Sequence, residues 1–231
     1  MLLLVDVPVL SISINTYHMN YENQLILTGE INNVGAQTRM NVKNSYRRGL
    51  EFVLDFTGNY ISNDFNATLS QNKIKRYIQF TDNWDNNSQK MTEYNNTNIA
   101  LSPQTIVSNT FSLHPSANLE VNLESKFVSK QYLDNTSSQD RMLDEYFVNN
   151  LGFIYSIKSK LFKSIELNCK IYNLFDVNVI PSGWSYSFTS NNYDPREENP
   201  YTKENNEGGY DMIGLFPQAT RNYTIGLNIK F

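Results

Sequence analysis

The last nine residues of the chain alternate without a break: Tyr223, Ile225, Leu227, Ile229 and Phe231 are apolar, while Thr224, Gly226, Asn228 and Lys230 between them are polar or small. A period of two sends successive side chains to opposite faces of a strand, so one face here is wholly apolar and the other wet. The pattern recurs in Ile165, Leu167, Cys169 and Ile171 against Glu166, Asn168 and Lys170, and in Leu119, Val121, Leu123 and Phe127 against Glu120, Asn122, Glu124 and Lys126. Further strands fit Phe147–Ile157, Ile99–Leu113, Leu50–Phe56 on even positions, Ile61–Leu69 and the surroundings of Leu10–Ile14, about eight in all.

The connections alternate in length. Short turns are expected near Thr57–Tyr60, His114–Ala117 and Ser159–Lys163, and long ones near Gly29–Gln37, Thr81–Thr97, Gln131–Glu145 and Asp176–Phe216. Short turns on one rim and long loops on the other are the habit of an antiparallel outer-membrane barrel, where the short side is periplasmic. The Asn- and Glu-rich stretch Ser190–Gly209 then reads as a large exposed loop, and the whole of 1–231 as one domain.

Periodicity alone does not choose between lipid and water, because a soluble barrel shows the same alternation inside out. The polar face decides it: Glu120, Glu124, Lys126, Glu166, Lys170 and Lys230 suit a wet wall, and the opposite face is nearly charge-free. Hydrocarbon tolerates no unpaired backbone N–H or C=O, so an all-β segment there must belong to a closed barrel with apolar residues outward. At a tilt near 45° a strand climbs about 2.3 Å per residue, and an apolar band of ~25 Å asks for about 9–11 residues, the length these runs supply. Arg48 interrupts the apolar face, but at roughly 19 Å above the nearby turn it is placed to snorkel to the outer interface. Gln71 and Lys73, which follow Leu69 on the apolar face, shorten the band of their strand. Tyr46, Tyr60, Tyr132, Tyr146, Phe147, Tyr172, Phe175 and Tyr223 lie near the ends of apolar runs and fit interfacial girdles.

Composition narrows the function. A net charge of −4 without a basic block argues against a nucleic-acid partner. The single cysteine, Cys169, has no internal disulfide partner, and His18 and His114 are read as structural rather than as metal ligands. No phosphate-cradling, nucleophilic or metal-hydrolase motif is present, so no enzyme, catalytic residue, metal site or cofactor is expected. The acidic stretches Asp82–Asp85 and Asp194–Glu198 lack calcium-loop spacing. The opening run Met1–Leu10 lacks the basic start and cleavage site of a signal peptide, and 1–8 is a candidate non-native start. No window is long and apolar enough for a transmembrane helix.

Several segments, taken in order, resemble the C-terminal part of TonB-dependent receptors, especially those of the Bacteroidetes group: Tyr21–Gly29 (YENQLILTG), Asn44–Glu51 (NSYRRGLE), Tyr172–Asp176 (YNLFD), Ser182–Tyr186 (SGWSY) and Phe216–Phe231 (FPQATRNYTIGLNIKF). The resemblance implies a barrel of about 22 strands filled by an N-terminal plug, with TonB-driven uptake of a scarce nutrient such as a siderophore-iron, haem or cobalamin complex. Plug and TonB contacts would then belong to a full-length protein, since no plug or TonB-contacting segment is found here. Outer-membrane lipid, lipopolysaccharide and the barrel-assembly machinery are the expected partners, and the cell outer membrane the expected location. Within the resemblance, Tyr223 and Phe231 match the terminal-strand assembly signal, with Arg221 and Gly226 beside them. Trp184, Tyr186, Tyr193 and Arg196 of the last long loop are the candidate ligand-binding residues. Two other readings remain open from the sequence: a complete eight-stranded outer-membrane barrel with a structural or adhesive role, and a soluble β-rich binding module. The first would have to pack a narrow interior, and a wide barrel suits the long loops better.

Overall fold

The structure, a computed structural model, describes residues 7–231; the reading of the opening run over residues 1–6 lies outside them. The described residues form fourteen strands: β1 (Val9–Ile31), β2 (Gln37–Thr57), β3 (Ile61–Asn83), β4 (Ser88–Asn98), β5 (Thr105–Ser116), β6 (Leu119–Val128), β7 (Gln131–Tyr132), β8 (Met142–Leu143), β9 (Tyr146–Ile157), β10 (Ser164–Tyr172), β11 (Ser182–Thr189), β12 (Thr202–Glu204), β13 (Tyr210–Phe216) and β14 (Asn222–Lys230). Twelve of them form one curled, open sheet, and β7 and β8 pair with each other.

Eight antiparallel staves make the wall: β1, β2, β3, β4 continued by β5, β6, β9, β10 and β14. β3 pairs with β4 from Lys73 to Asn83 and with β5 from Ile61 to Leu69, so β4 and β5 are two lengths of one stave broken at 99–104. The number expected from the sequence holds, but the boundaries move. β1, β2 and β3 run far past their apolar stretches, Ser88–Asn98 is a strand where a loop was expected, and Ile99–Gln104 is a break where a strand was expected. The connection Asp176–Phe216 holds β11, β12, β13 and a 3₁₀ turn at Pro195–Glu197.

The two faces sort as the alternation requires. Ile225 and Leu227 are 75% and 59% exposed, and Ile229 and Leu167 are exposed with them; none is buried in a dry interior. Cross-strand register continues this apolar face through Leu167↔Leu227, Tyr155↔Leu167, Leu119↔Tyr155 and Val121↔Phe153. On the opposite face Lys170 of β10 reaches over Gly152 of β9 to Glu124 of β6, 2.6 Å away. Side chains two strands apart converge in this way on the concave side of a curved sheet, so the charges line the inside. Of the aromatics expected in girdles, Tyr60, Phe147, Phe175 and Tyr223 are exposed. Tyr146 and Tyr172 do not join them: their register parity is that of the charged face, and the Lys170 ammonium lies 5.2 Å from the Tyr172 ring.

One irregularity divides the wall into two storeys. Low on β2 the odd residues face inward, as shown by Arg47, which donates to Asn72 and Ser102. Higher up, the even residue Val42 is buried in a core with Ile26, Ile74, Tyr77 and Ile99. The facing residues change parity again between Ile74 and Tyr77 on β3. Both inversions coincide with an asparagine in the left-handed region on the neighbouring strand, Asn23 (φ 55°) and Asn96 (φ 55°). Asparagine tolerates this conformation where bulkier residues do not. The apolar parity of each strand thus continues upward but swings from the convex face to the concave one.

Candidate functional site

The long connections fold back over the concave side of the upper storey. The segment between β6 and β9 lies against β1 at Gly29, whose φ of +97° and lack of a side chain let the Leu133 carbonyl oxygen occupy the space a Cβ would need. Asn135 then bridges two elements, donating to the Leu27 carbonyl (2.7 Å) and accepting from the Ala100 amide (2.8 Å). Arg141 is fully buried. Its Nε donates to Asp134 (2.6 Å), its Nη1 to both carboxylate oxygens of Asp211 (3.1 and 2.9 Å), and its Nη2 to Thr136 (2.9 Å). Asp211 also accepts from Ser187 (2.7 Å) and Asn205 (2.9 Å). Buried charges are tolerable only when paired and saturated with hydrogen bonds, and this cluster meets that condition. It ties the β6–β9 loop to β11 and β13.

An aromatic cluster sits beside this latch. Trp84, at the turn between β3 and β4, stacks on buried Phe188 at 3.9 Å and lies 6.0 Å from Tyr193 and 6.4 Å from Tyr186. Phe188 in turn lies 5.7 Å from Tyr210, and the Arg196 guanidinium is 5.7 Å from the Tyr210 ring. Trp84 donates through Nε1 to the Tyr186 hydroxyl (3.2 Å), which itself donates to Asp82 (2.7 Å). Burial and that bond to a carboxylate push the Tyr186 hydroxyl up to about 12. Asp85 accepts from the Asn191 amide, the Ser190 hydroxyl and the Asn192 amide, which holds its carboxyl below the ordinary range and pins the last loop to the Trp84 turn.

Of the four loop residues chosen from the sequence, the fold brings Tyr186 and Tyr193 together around Trp84 and joins Arg196 at the far end through Tyr210. Trp184 is separate: its ring lies on Gly214 of the paired strand β13. Arg196 is not a free cation, because Asp194 and Glu204 both pair with it. Sequence reasoning missed Trp84, Phe188 and Tyr210; an indole within a polar, acid-rich connection was the available signal. Trp84 is 44% and Tyr193 37% exposed, so the cluster presents ring surface to solvent. Tyr223 and Phe231 stand at opposite ends of the exposed β14 face, and Phe231 packs edge-to-face on Phe162 of the β9–β10 turn at 5.2 Å. Below the loops, a cavity of 560 Å³ is lined by Glu124, Lys126, Asn150 and Asn173 together with Val148 and Val179. Among the described residues there is no group of three or more His, Cys, Asp or Glu that could hold a metal ion.

Glu30 responds to pH in this assembly. It stands roughly 48 Å along the wall from Val9 at ~2.3 Å per residue, well above an apolar band of ~25 Å. Burial first, then the carboxylates of Asp82 and Asp134, push its carboxyl up to about 7 from 4.5. Burial first, and in smaller part its charge, raise the hydroxyls of Tyr77 and Tyr186 in turn. A raised acid favours the protonated form in the folded state, so its contribution is fully present below pH 4.5, fades as pH rises towards 7 and stays lost above. Stability of the loop assembly should therefore fall by roughly 1–2 kcal/mol over that window, after allowance for partial screening. Glu30→Gln should flatten this dependence in denaturant titrations of the loops; an unchanged pH profile would contradict the assignment.

No protein-family model matches the chain, and no curated protein matches it by sequence. Solved structures do match. The siderophore receptor PiuA from Acinetobacter baumannii aligns over 96% of this chain and 26% of its own, with a TM-score of 0.62 and 15% identity. The ferric-catecholate import receptor Fiu from E. coli K12, in its closed form, aligns over 96% and 25%, with a TM-score of 0.59 and 14% identity. BauA, the ferric preacinetobactin receptor from A. baumannii, aligns over 96% and 27%, with a TM-score of 0.56 and 14% identity. The fold is that of the receptor barrel the sequence resemblance pointed to, and the chain spans about a quarter of the length of these receptors.

Proposed function

We propose that the chain is the C-terminal portion of the barrel of a TonB-dependent outer-membrane receptor that takes up a scarce nutrient complex of the siderophore-iron, haem or cobalamin type, a transport receptor and not an enzyme. The observation that carries this reading is the eight-stave wall, apolar and exposed on its convex face and charged on its concave face, over a length that suits a bilayer. The likeness to siderophore receptors over 96% of the chain supports it. In this reading the convex face meets lipid, the concave charges meet a plug supplied by the full-length protein, and Phe231 and Tyr223 serve recognition by the barrel-assembly machinery. Tyr186, Tyr193 and Arg196, with Trp84, form the loop surface nearest an arriving ligand, and Trp184 supports the β11–β13 hairpin. An open edge on both β1 and β14 speaks against closure of these eight staves on themselves.

Cell fractionation with heat-modifiable gel mobility, followed by radio-iron uptake in iron-starved cells, tests the proposal. The chain should be found in outer membranes and migrate differently boiled and unboiled. Its loss should abolish a protonophore-sensitive uptake of one ferric siderophore. Recovery in the soluble fraction with identical mobility in both states would sink the reading and favour a soluble β-rich module.

A further inference from the structure

We propose that His18, Arg48 and Gln71 form a binding site for the phosphorylated headgroup of an outer-leaflet lipid, on the convex face where the apolar band ends. The proposal rests on the outer-membrane reading above. The three residues occupy one row across three strands, His18↔Arg48 on β1 and β2 and Arg48↔Gln71 on β2 and β3. They share their face with Leu54 and Phe56 of β2, Ile12 and Ile14 of β1 and Leu69 of β3, so they look into the same medium as the band. Arg48 stands eight residues above Phe56, roughly 18 Å at ~2.3 Å per residue, where acyl chains give way to headgroups.

The cation is held in place without being neutralised. Arg48 donates through Nε (2.9 Å) and Nη2 (2.7 Å) to one amide oxygen of Gln71. Its guanidinium lies 5.4 Å from the Tyr46 ring, against which His18 stacks at 6.1 Å. Arg76, Arg141 and Arg196 each meet a carboxylate, whereas Arg48 meets only a neutral amide. A recess of 600 Å³ that touches His18, Arg48 and Gln71, and also Tyr17 and Ser70 of the alternate row, is lined by no carboxylate. Lys73 adds a second cation one row higher, its Nζ donating only to the Asn96 carbonyl at 3.4 Å. Glu22, the acid on this face of β1, is two rows above His18. Guanidinium and phosphate match in charge and geometry, and the remaining donors of a pre-positioned arginine suit a phosphate oxygen. Leu50 and Leu69 directly beneath would meet the acyl chain of the same molecule, which selects a lipid over a free anion.

The test is native mass spectrometry of the chain purified from outer membranes in dodecyl maltoside, with lipid A carrying two phosphates as the probe. The wild type should retain this lipid and discriminate against its dephosphorylated form. Arg48→Ala should lower retention about tenfold, the loss of one charge-assisted contact. Arg48→Lys should lose less, and Gln71→Leu should weaken retention by freeing the guanidinium. Heat-modifiable mobility is measured for each variant; should Arg48→Ala not fold, Gln71→Leu and Arg48→Lys carry the decision. Equal retention by wild type and folded variants, equal binding of dephosphorylated lipid, or displacement by equimolar inorganic phosphate would each overturn the site. Absence of the chain from outer membranes would instead remove the reading beneath it.

Discussion

Replacing Arg141 by alanine is expected to release the outer loops while the lower wall stays assembled, at a cost of about 3–5 kcal/mol to the loop assembly. The cost follows from what is left behind: Asp134 and Asp211 remain buried, each having lost a charged donor at 2.6–3.1 Å. Hydrogen exchange should show the loss as faster exchange over the β6–β9 loop and from β11 through β13, with β5, β6, β9 and β10 still protected. Heat-modifiable mobility should survive. Replacing Arg141, Asp134 and Asp211 together by apolar residues of similar size should recover much of the protection, because no uncompensated charge remains. Unaltered exchange in the single variant would mean that the cluster does not hold the loops.

Leu227→Arg is the second large effect to expect. Leu227 is near the middle of β14 on the exposed apolar face, between Ile225 and Ile229. An arginine facing hydrocarbon at mid-depth costs about 2–4 kcal/mol, falling towards zero near either interface. Asn228→Arg, one residue along and on the concave face, should cost little. Folding into lipid vesicles, followed by the fraction of heat-modifiable product against denaturant, compares the pair. Equal penalties at both positions would refute the assignment of lipid to one face and water to the other.

The wall was legible because its two faces carry opposite chemistries on alternate residues, as Tyr223–Phe231 and Ile165–Ile171 show. β4 was not legible for the same reason. Its sequence, Ser-Gln-Lys-Met-Thr-Glu-Tyr-Asn-Asn-Thr-Asn, stands above the band with most of its residues exposed, so nothing enforced a period and it read as loop. The break at Ile99–Gln104 was hidden because Ile99 and Ala100 are apolar like a strand, yet they turn inward to meet Asn135. The latch was out of reach of local reasoning, since Asp134, Arg141 and Asp211 come together only when β13 pairs with β11. The loop site was half legible. Aromatic residues in an exposed connection pointed to Tyr186 and Tyr193, but the platform is Trp84, contributed by a different connection. The neighbours of Arg196 in sequence, Asp194 and Glu204, already held the reason it is not an open cation.

On the proposed outer-membrane reading, the two asparagines at positions 23 and 96 mark the height at which the polypeptide changes solvent. Beneath them an oily exterior is an asset; past them the same oily parity would be a liability in water, and a single left-handed residue on the adjoining strand turns it indoors. What stands on top is consequently a small layer with its own greasy centre, Ile26, Val42, Ile74, Tyr77 and Ile99, built from the continuation of the strands of the lower wall. Inserting or deleting one residue at either asparagine would reverse the faces above it and put that centre out of doors, so spacing between the two storeys is as constrained as the composition of each.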